Sequence, residues 1–431
     1  QLSSPSLGAS LPVSPSPLST SLSILDNSDD EHIYKSCSMP KRWAKSNIEE
    51  KDIIDQPKHA QGGNLYELAI IGGGVAGIFS ALMAAQNSVR TIIIDPNKLG
   101  GGATIRSAGV VTLQLDEEDD VKLVKRSIEL IKQYSKSSWR VTGFLQLGRP
   151  NQLQDSIESM RRAGVEFKLL SSSEIESIWP EIISDERFIG VYTSEDLSLE
   201  PTIFIDECRQ ALLDAGVELL EDEGVVSLDI RDGEIKGALL SNGKEVKAEQ
   251  YILSAGAWTR EILSKHGYEL MTMIITCYAY RFDIGEELGL PSFSDEWLHS
   301  YWRPWNTELI GGGYDADFSE KPDISDAPPP QKYIQNSIRL MQRRVRLKSP
   351  PRLVATLRGP CSVTSDMEPI IGHIEGLRNL VLIDGLRGYG LMRGPAIGEL
   401  AANLILNKPM WLNLKSYAPA RAIIKKTQHT T

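Results

Sequence analysis

The chain is poor in cysteine and histidine, and neither residue is arranged to hold a metal. Its cysteines are Cys37, Cys208, Cys277 and Cys361, far apart and without a CxxC pair. That excludes a cysteine-ligated iron–sulfur cluster or zinc ribbon within the chain. The scatter offers no disulfide framework either, so a reducing compartment, by default the cytoplasm, is expected. The six histidines show no ligand spacing, and no metal site is expected. A basic excess is also missing. With a formal net charge of -11 the chain lacks the footprint of a nucleic-acid partner. No uninterrupted apolar run approaches the roughly 18 residues of a membrane-crossing helix, so no transmembrane span is expected. What remains is an ordinary globular balance, 41% apolar and 24% charged. At 431 residues the chain is expected to form one large two-part unit or two domains. Residues 1–63 read differently: "SSPSLGASLPVSPSPLSTSLS" is Ser/Pro-rich and buries too little to offset its ordering entropy. A disordered or cleaved leader segment is expected there, and a leader would direct the rest to an organelle. The lack of arginine before Arg42 weakens the mitochondrial version.

Against these absences stands one dense stretch, "YELAIIGGGVAGIFSALMAAQNSVRTIIIDPN", Tyr66–Asn97. Leu68–Ile71 has the pattern of a buried strand and "VAGIFSALMAAQ" that of a helix. Between them Gly72, Gly74 and Gly77 complete a G-x-G-x-x-G turn. The first glycine permits the tight turn and the second lets the backbone approach a pyrophosphate. The third lets helix and strand pack closely, with the phosphates at the positive helix N-terminus by Val75 and Ala76. "TIIID" then gives a second strand ending in Asp95, with Pro96 after it. A carboxylate there accepts hydrogen bonds from an adenosine ribose. An acid rather than an arginine disfavours a 2′-phosphate and hence NADP, while NAD and FAD both stay open on this stretch alone.

The following segment, "KLGGGATIRSAGVV" (Lys98–Val111), resembles the second flavin-contacting loop of the D-amino-acid-oxidase-like FAD-dependent oxidoreductases. That family includes glycine oxidase and the sarcosine and dimethylglycine dehydrogenases. Three further blocks resemble it in order. They are "GVYTSEDLSLEPTIFIDECRQALLDAGVEL", "EGVVSLDIRDGEIKGALLSNGKEVKAEQYILSAGAW" and "GPCSVTSDMEPIIGHIEGLRNLVLIDGLRGYGLMRGPAIGELAANLIL". The resemblance implies an α/β fold: a discontinuous Rossmann-like FAD-binding domain with an inserted α+β substrate domain on a mixed or antiparallel sheet. It implies FAD as cofactor, contacted by Gly102, Ala103, Thr104, Arg106 and Ser107 in the loop and by Val226 on the adenine side. Ala255, Gly256 and Trp258 would contact it after the "YILSAGAW" strand. Gly385, Arg387, Gly388, Tyr389, Gly390 and Leu391 would do so in the last turn. Small residues suit backbone that passes close to a cofactor. Pro395 falls near the start of a helix expected to be amphipathic, whose positive N-terminus suits the flavin edge that gains charge on reduction.

The sequence departs from the family at the points of covalent attachment. Arg106 stands where the sarcosine and dimethylglycine dehydrogenase branch carries a flavin-bearing histidine. Monomeric sarcosine oxidases use a cysteine in the last segment, but Cys361 sits closer to the following acid, Asp366, than that pattern requires. Non-covalent FAD is therefore expected, with Arg106 near the pyrophosphate or flavin edge and Cys361 an ordinary buried thiol.

The resemblance divides the chain into FAD-binding pieces 64–142, 186–268 and 353–420, substrate pieces 143–185 and 269–352, and a tail, 421–431. "GFLQLGRP" (Gly143–Pro150), "MIITCYAYRF" (Met273–Phe282) and "LHSYWRPWNTELIGGGYD" (Leu298–Asp315) read as strands of the substrate sheet. Alternation puts Tyr278 and Tyr280 on one face and Cys277 and Ala279 on the other; one face should look onto the flavin. "YWRPW" joins aromatics, which suit an amine through cation–π attraction, to an arginine, which suits a carboxylate. Trp302 and Trp305 as plain sheet core is the competing account. The expected substrate contacts are Tyr278, Tyr301, Arg303, Arg358, Arg387 and Tyr389, the last two from the flavin-side turn.

The activity this implies is oxidation of an amino acid or a secondary or N-methylated amine. Hydride would pass from the carbon beside nitrogen to flavin N5, leaving an imine that water hydrolyses. No conventional base is evident, and desolvation would lower the bound amine's pKa instead. "RFDIGEELGLPSF" lacks the lysine that some family oxidases place near N5, which favours a dehydrogenase delivering electrons to an electron-acceptor protein, quinone or partner subunit. Two other readings stay open: a 2-hydroxy-acid or glycerol-phosphate dehydrogenase of the same fold, and a flavoprotein assembly or partner subunit of a larger complex.

Overall fold

Residues 65–425 are described in the computed structural model. The segment 1–63, expected to be a leader or disordered, and the end of the 421–431 tail lie outside the described residues. In chain order the elements that position the site begin with β1 (Tyr66–Ile71), α1 (Val75–Ala85), β2 (Thr91–Ile94), α2 (Glu118–Tyr134), β3 (Phe144–Gly148), β4 (Lys168–Ser171) and β5 (Ile189–Thr193). Then come α3 (Pro201–Asp214), β6 (Glu218–Leu220), β7 (Ala248–Leu253), β8 (Thr272–Asp283), β9 (Ser292–Asp295), β10 (Ser300–Trp305) and β11 (Glu308–Gly313). The last are β12 (Ala316–Ser319), α4 (Gln331–Arg344), β13 (Arg352–Thr364), β14 (Ile370–His373), β15 (Leu380–Asp384) and α5 (Gly390–Ile405).

β1, β2, β7 and β15 are short apolar runs, and such runs pair as parallel strands only where both faces are covered. They form a six-stranded sheet in the order β14-β15-β7-β1-β2-β6. All its neighbours are parallel except the β14–β15 pair. The register sets Ile71 beside both Ile94 and Leu253, and Leu253 beside Leu382. The carboxyl ends of four strands therefore open onto one crevice, where ligands bind in open α/β sheets. α1 and α5 pack across one face. A Cβ at Gly398 would lie 2.5 Å from the Ala76 carbonyl oxygen, so that contact needs a glycine. α5 is buried continuously from Leu391 to Ala402. It is a core helix rather than the amphipathic one expected, because α1 and α2 both lie against it.

The second sheet has nine strands. Eight run in the order β12-β8-β11-β10-β9-β3-β5-β4, and β13 pairs along β8. Only the β9–β3 pair is parallel, so the sheet is mixed. Two strands fall on the other side of the expected boundaries. Ile189–Thr193, placed with the second FAD piece, pairs with β3, and Arg352–Thr364, placed with the third from residue 353 onward, pairs with β8 from Thr272 to Asp283. A strand takes its sheet from its hydrogen-bonding partner, and both segments run between the two layers. On β8 the face bearing Tyr278, Tyr280 and Phe282 packs with Ile334, Leu340 and Met341 of α4. The face bearing Ile275, Cys277 and Ala279 lines the cavity between the sheets.

Candidate active site

One cavity of about 990 Å³ runs from the β1–α1 turn to the second sheet. At its first end Gly72 has φ +109°, and an added Cβ would meet the Ser254 carbonyl oxygen at 2.5 Å. Gly77 lies so close to the Gly72 carbonyl that no side chain fits. Backbone alone can make this turn. α1 then begins at Val75 with Gly74 as its N-cap, with no side-chain cap and no acid in its first turn. Only Val75 N–H is taken, donating to Thr104 Oγ1 at 3.2 Å. The helix end is thus open to an anion. Asp95, at the end of β2, accepts from Gly73 N–H at 2.7 Å and from Asn97 N–H at 2.8 Å. Its carboxyl is 9% exposed, and burial pushes it above the usual carboxylate range. Each oxygen keeps a second lone pair, which a ribose hydroxyl would satisfy.

Midway, Asp384 ends β15 with both carboxylate oxygens buried and neither in a well-formed hydrogen bond; Gly385 N–H and the Ser362 hydroxyl stand near enough to offset its burial only in part. It is 2% exposed, and burial pushes it up to about 7. A buried acceptor pair left empty costs stability unless something donates to it. The structure therefore fits FAD on three counts: a glycine turn that backbone alone can make, an uncapped helix start, and a buried cavity-lining carboxylate with acceptor capacity left for the sugar-alcohol hydroxyls. Arg106 spans the wall, donating to Gly102 O at 2.7 Å and also to Gly101 O, and to Ile324 O at 3.3 Å.

The far end is phenolic and charged. Tyr301, Tyr314 and Tyr389 all line it, and the Tyr301 and Tyr314 rings lie 6.1 Å apart. Tyr314 and Tyr389 are 54% and 37% exposed, yet the protein crowding the cavity end still raises all three phenols, so they remain neutral hydrogen-bond donors at ordinary pH. Arg387 reaches the same end with φ +43°, an unfavoured conformation for a side chain. Its guanidinium donates to Asp120 Oδ2 at 3.3 Å, beside the fully buried Arg393, which pairs with the same carboxylate. Arg387 also lies 5.0 Å over the Tyr389 ring, while its Nε is buried without a partner. Opposite charges complete the end. Asp116 lines it from an exposed position, and Glu296 is held by Ser294 Oγ at 3.0 Å and Gln146 Nε2 at 3.2 Å.

Most of the residues expected to form the site line this cavity. Gly72, Gly74, Val75, Ala76, Asp95 and Pro96 stand at the first end. Gly102, Ala103, Thr104, Arg106, Ser107, Val226, Ala255, Gly256 and Trp258 surround the middle. Gly388, Gly390 and Leu391 lie in the last turn with Arg387 and Tyr389. Gly77 and Gly385 are not among the residues that line the cavity. Three expected substrate contacts differ. Arg303 is 1% exposed and outside the cavity, bonded to Ala108 O and to Glu200, because its strand position turns it into the layer beneath. Arg358 pairs with Asp323 at 2.7 Å and Ser325 Oγ at 2.8 Å, also off the cavity. Tyr278 touches the wall, but its hydroxyl donates to Asp317 at 2.7 Å. Trp302 is fully buried sheet core. Asp116, Glu296, Tyr314 and Asp384 were not anticipated. Of these only Asp384 had a visible signal, an acid closing an apolar strand as Asp95 does. The thiol of Cys361 is not solitary, for Cys277 Sγ lies 3.2 Å from it.

The model of the FAD-dependent oxidoreductase (DAO) family matches residues 67–404, and the chain belongs to that family. Mitochondrial sarcosine dehydrogenase of Mus musculus is 21% identical over 84% of this chain, which spans 42% of that protein's length. N-methyl-L-tryptophan oxidase of Yersinia pestis is 21% identical, over 83% of this chain and 99% of its own. Among solved structures, L-proline dehydrogenase from P. horikoshii superimposes with a TM-score of 0.77 at 24% identity, covering 84% of this chain and 98% of that one. The expected fold class, the flavin-binding layer with a mixed-sheet second layer, is therefore established. No helix among the described residues is long and apolar enough to cross a membrane.

Proposed function

We propose that the protein oxidises the C–N bond of an amino acid or a secondary or N-methylated amine, using FAD held without a covalent link. The observation that carries this is the far end of the cavity, where three neutral phenols, one paired guanidinium and two carboxylates converge. FAD, when bound, supplies the two-electron acceptor for a hydride equivalent. Gly72, the first turn of α1, Asp95 and Asp384 would hold its diphosphate and sugars, with Trp258 and Val226 beside them. Arg387 is aimed to take a substrate carboxylate, because Asp120 fixes its position while its Nε remains to be filled. Tyr301, Tyr314 and Tyr389 present ring faces that attract an amine nitrogen and its alkyl groups. Desolvation of the bound amine and the Arg387 cation beside it lower the pKa of that nitrogen, freeing its lone pair without a dedicated base. Asp116 and Glu296 are placed to receive the released proton. Arg106 in the histidine position, and a Cys361 already engaged with Cys277, support non-covalent FAD. At the phenolic end no lysine lines the cavity among the described residues, which supports an acceptor other than oxygen.

The test is the visible spectrum of the flavin-loaded protein, kept anaerobic, as sarcosine, dimethylglycine, L-proline, common D-amino acids, 2-hydroxyglutarate and glycerol 3-phosphate are added in turn. Bleaching by one of the amines is the expected result. Bleaching by a hydroxy compound alone would replace the proposal with the alcohol-oxidising alternative. A second reading, a flavoprotein subunit of a larger assembly, is favoured by one surface feature. On and beside β8, Phe318, Met271 and Met273 are 80%, 55% and 48% exposed. A flavin that none of the compounds bleaches would favour it.

A further inference from the structure

Cys277 and Cys361 lie far apart in sequence but are diagonal neighbours on β8 and β13, since Cys277 pairs with Gly359 and Cys361 with Ile275. Both side chains therefore leave the same face, and their sulfurs stand 3.2 Å apart. Both line the cavity, under the turn that carries Gly388, whose Cβ position lies 3.8 Å from one sulfur and 3.9 Å from the other. Neither is in a disulfide. The contact makes the sulfurs unequal: the bond between them holds the Cys277 thiol below its ordinary range and, with burial, Cys361 well above. Cys277 is the more open of the two, whereas Cys208 is fully buried elsewhere. An accessible thiolate beside a second thiol is the arrangement in which oxidation ends as a disulfide rather than as an over-oxidised acid.

We propose that Cys277 and Cys361 form an oxidisable dithiol in the cavity wall, modified to an intramolecular disulfide by a small hydroperoxide. The Cys277 thiolate attacks the terminal peroxide oxygen. An S–O bond forms, the O–O bond breaks, and the departing hydroxide is protonated to water when the oxidant is hydrogen peroxide. Cys361, giving up its proton, then attacks the Cys277 sulfur. The S–S bond forms, the S–O bond breaks, and a second water leaves with that proton. Two thiols and one peroxide thus give one disulfide and two waters, the two electrons passing from sulfur to oxygen. Closing the bridge asks the sulfurs to approach by about 1.2 Å in total, given a bond of about 2.05 Å. Neither flavin nor the amine substrate takes part, so this inference stands or falls separately from the proposed function.

The experiment adds one equivalent of hydrogen peroxide to the reduced, flavin-loaded C37S/C208S protein, followed by intact-mass and peptide mass analysis. The expected result is a loss of about 2 Da with both free thiols gone, reversed by dithiothreitol. The product should be a single cross-linked peptide pair joining the two strands. In C361S the loss should give way to a gain of about 16 Da on Cys277. The same peptide map of the wild-type chain supplies a readout that needs no variant. A gain of about 32 Da on Cys277 with Cys361 still free would overturn the proposal. So would a wild-type bridge to Cys37 or Cys208, or both thiols surviving peroxide.

Discussion

Replacing Asp384 with asparagine tests the assignment of the cavity's middle, because the two states of the protein should respond in opposite directions. In the cofactor-free protein the carboxyl is 2% exposed and has no well-formed hydrogen bond, and burial, only partly offset by the nearby Gly385 N–H and Ser362 hydroxyl, pushes it up to about 7. In the unfolded chain it titrates near its ordinary value of about 3.9. Between those values the unfolded chain has released the proton and the folded protein has kept it. The carboxyl therefore costs the native state progressively more as pH rises from about 4 to about 7, reaching about 4 kcal/mol and staying level above. Asparagine keeps the shape and removes the charge, so D384N should lack that slope. Urea unfolding of the FAD-free proteins should show the variant gaining about 2–3 kcal/mol on wild type between pH 5 and pH 8. With FAD the order reverses. Hydroxyls that donate to an ionised carboxylate contribute about 1.5–3 kcal/mol, so D384N should bind FAD roughly 10–100-fold more weakly at neutral pH. Parallel unfolding profiles across that pH range, or an unchanged FAD Kd, would refute the placement of Asp384 against the cofactor.

Three further outcomes follow from the same geometry. Arg387→Gln removes the cation aimed into the phenolic end, and steady-state kinetics should show KM for a carboxylate-bearing amine rising about 10- to 100-fold, the equivalent of one charged hydrogen bond. A simple amine without a carboxylate should be affected little. Gly72→Ala places a methyl 2.5 Å from the Ser254 carbonyl at φ +109°, so thermal unfolding should fall by several degrees and FAD should be lost on gel filtration. Asp120→Ala leaves the buried Arg393 without its counter-charge and should cost about 3–5 kcal/mol in urea unfolding. Its FAD-loaded form should also show the raised KM of the Arg387 variant, since Asp120 positions that guanidinium.

The turn from Gly72 to Gly77 and the acid at Asp95 were legible because they act locally. Strand, glycines, helix and acid follow one another in the chain, and backbone sterics alone dictate their order. The loop around Arg106 and the turn from Arg387 to Tyr389 were singled out by the family resemblance rather than by backbone sterics. The apolar strands that make the central sheet announced themselves by composition. Arg303 shows where that legibility ends. Strand alternation gives a side chain a face but not the layer that face meets, and on β10 it met Ala108 and Glu200 rather than the cavity. Tyr278 fell to the same ambiguity, since α4 covers its face of β8 and the cavity lies on the other.

By itself, then, the sequence determined the dinucleotide-binding crossover, set by residues close together in the chain, and, through blocks repeated along its length, the resemblance to the FAD-dependent family. Only the tertiary structure decided which strand joined which sheet, and which charges met at the substrate end. It alone brought Asp116, Glu296 and Tyr314 to one place, buried Asp384 short of well-formed hydrogen bonds, and set Cys277 against Cys361. These relations cross long loops and depend on the register of β8 with β13 and on how the two sheets face each other. No local pattern of residues encodes that packing.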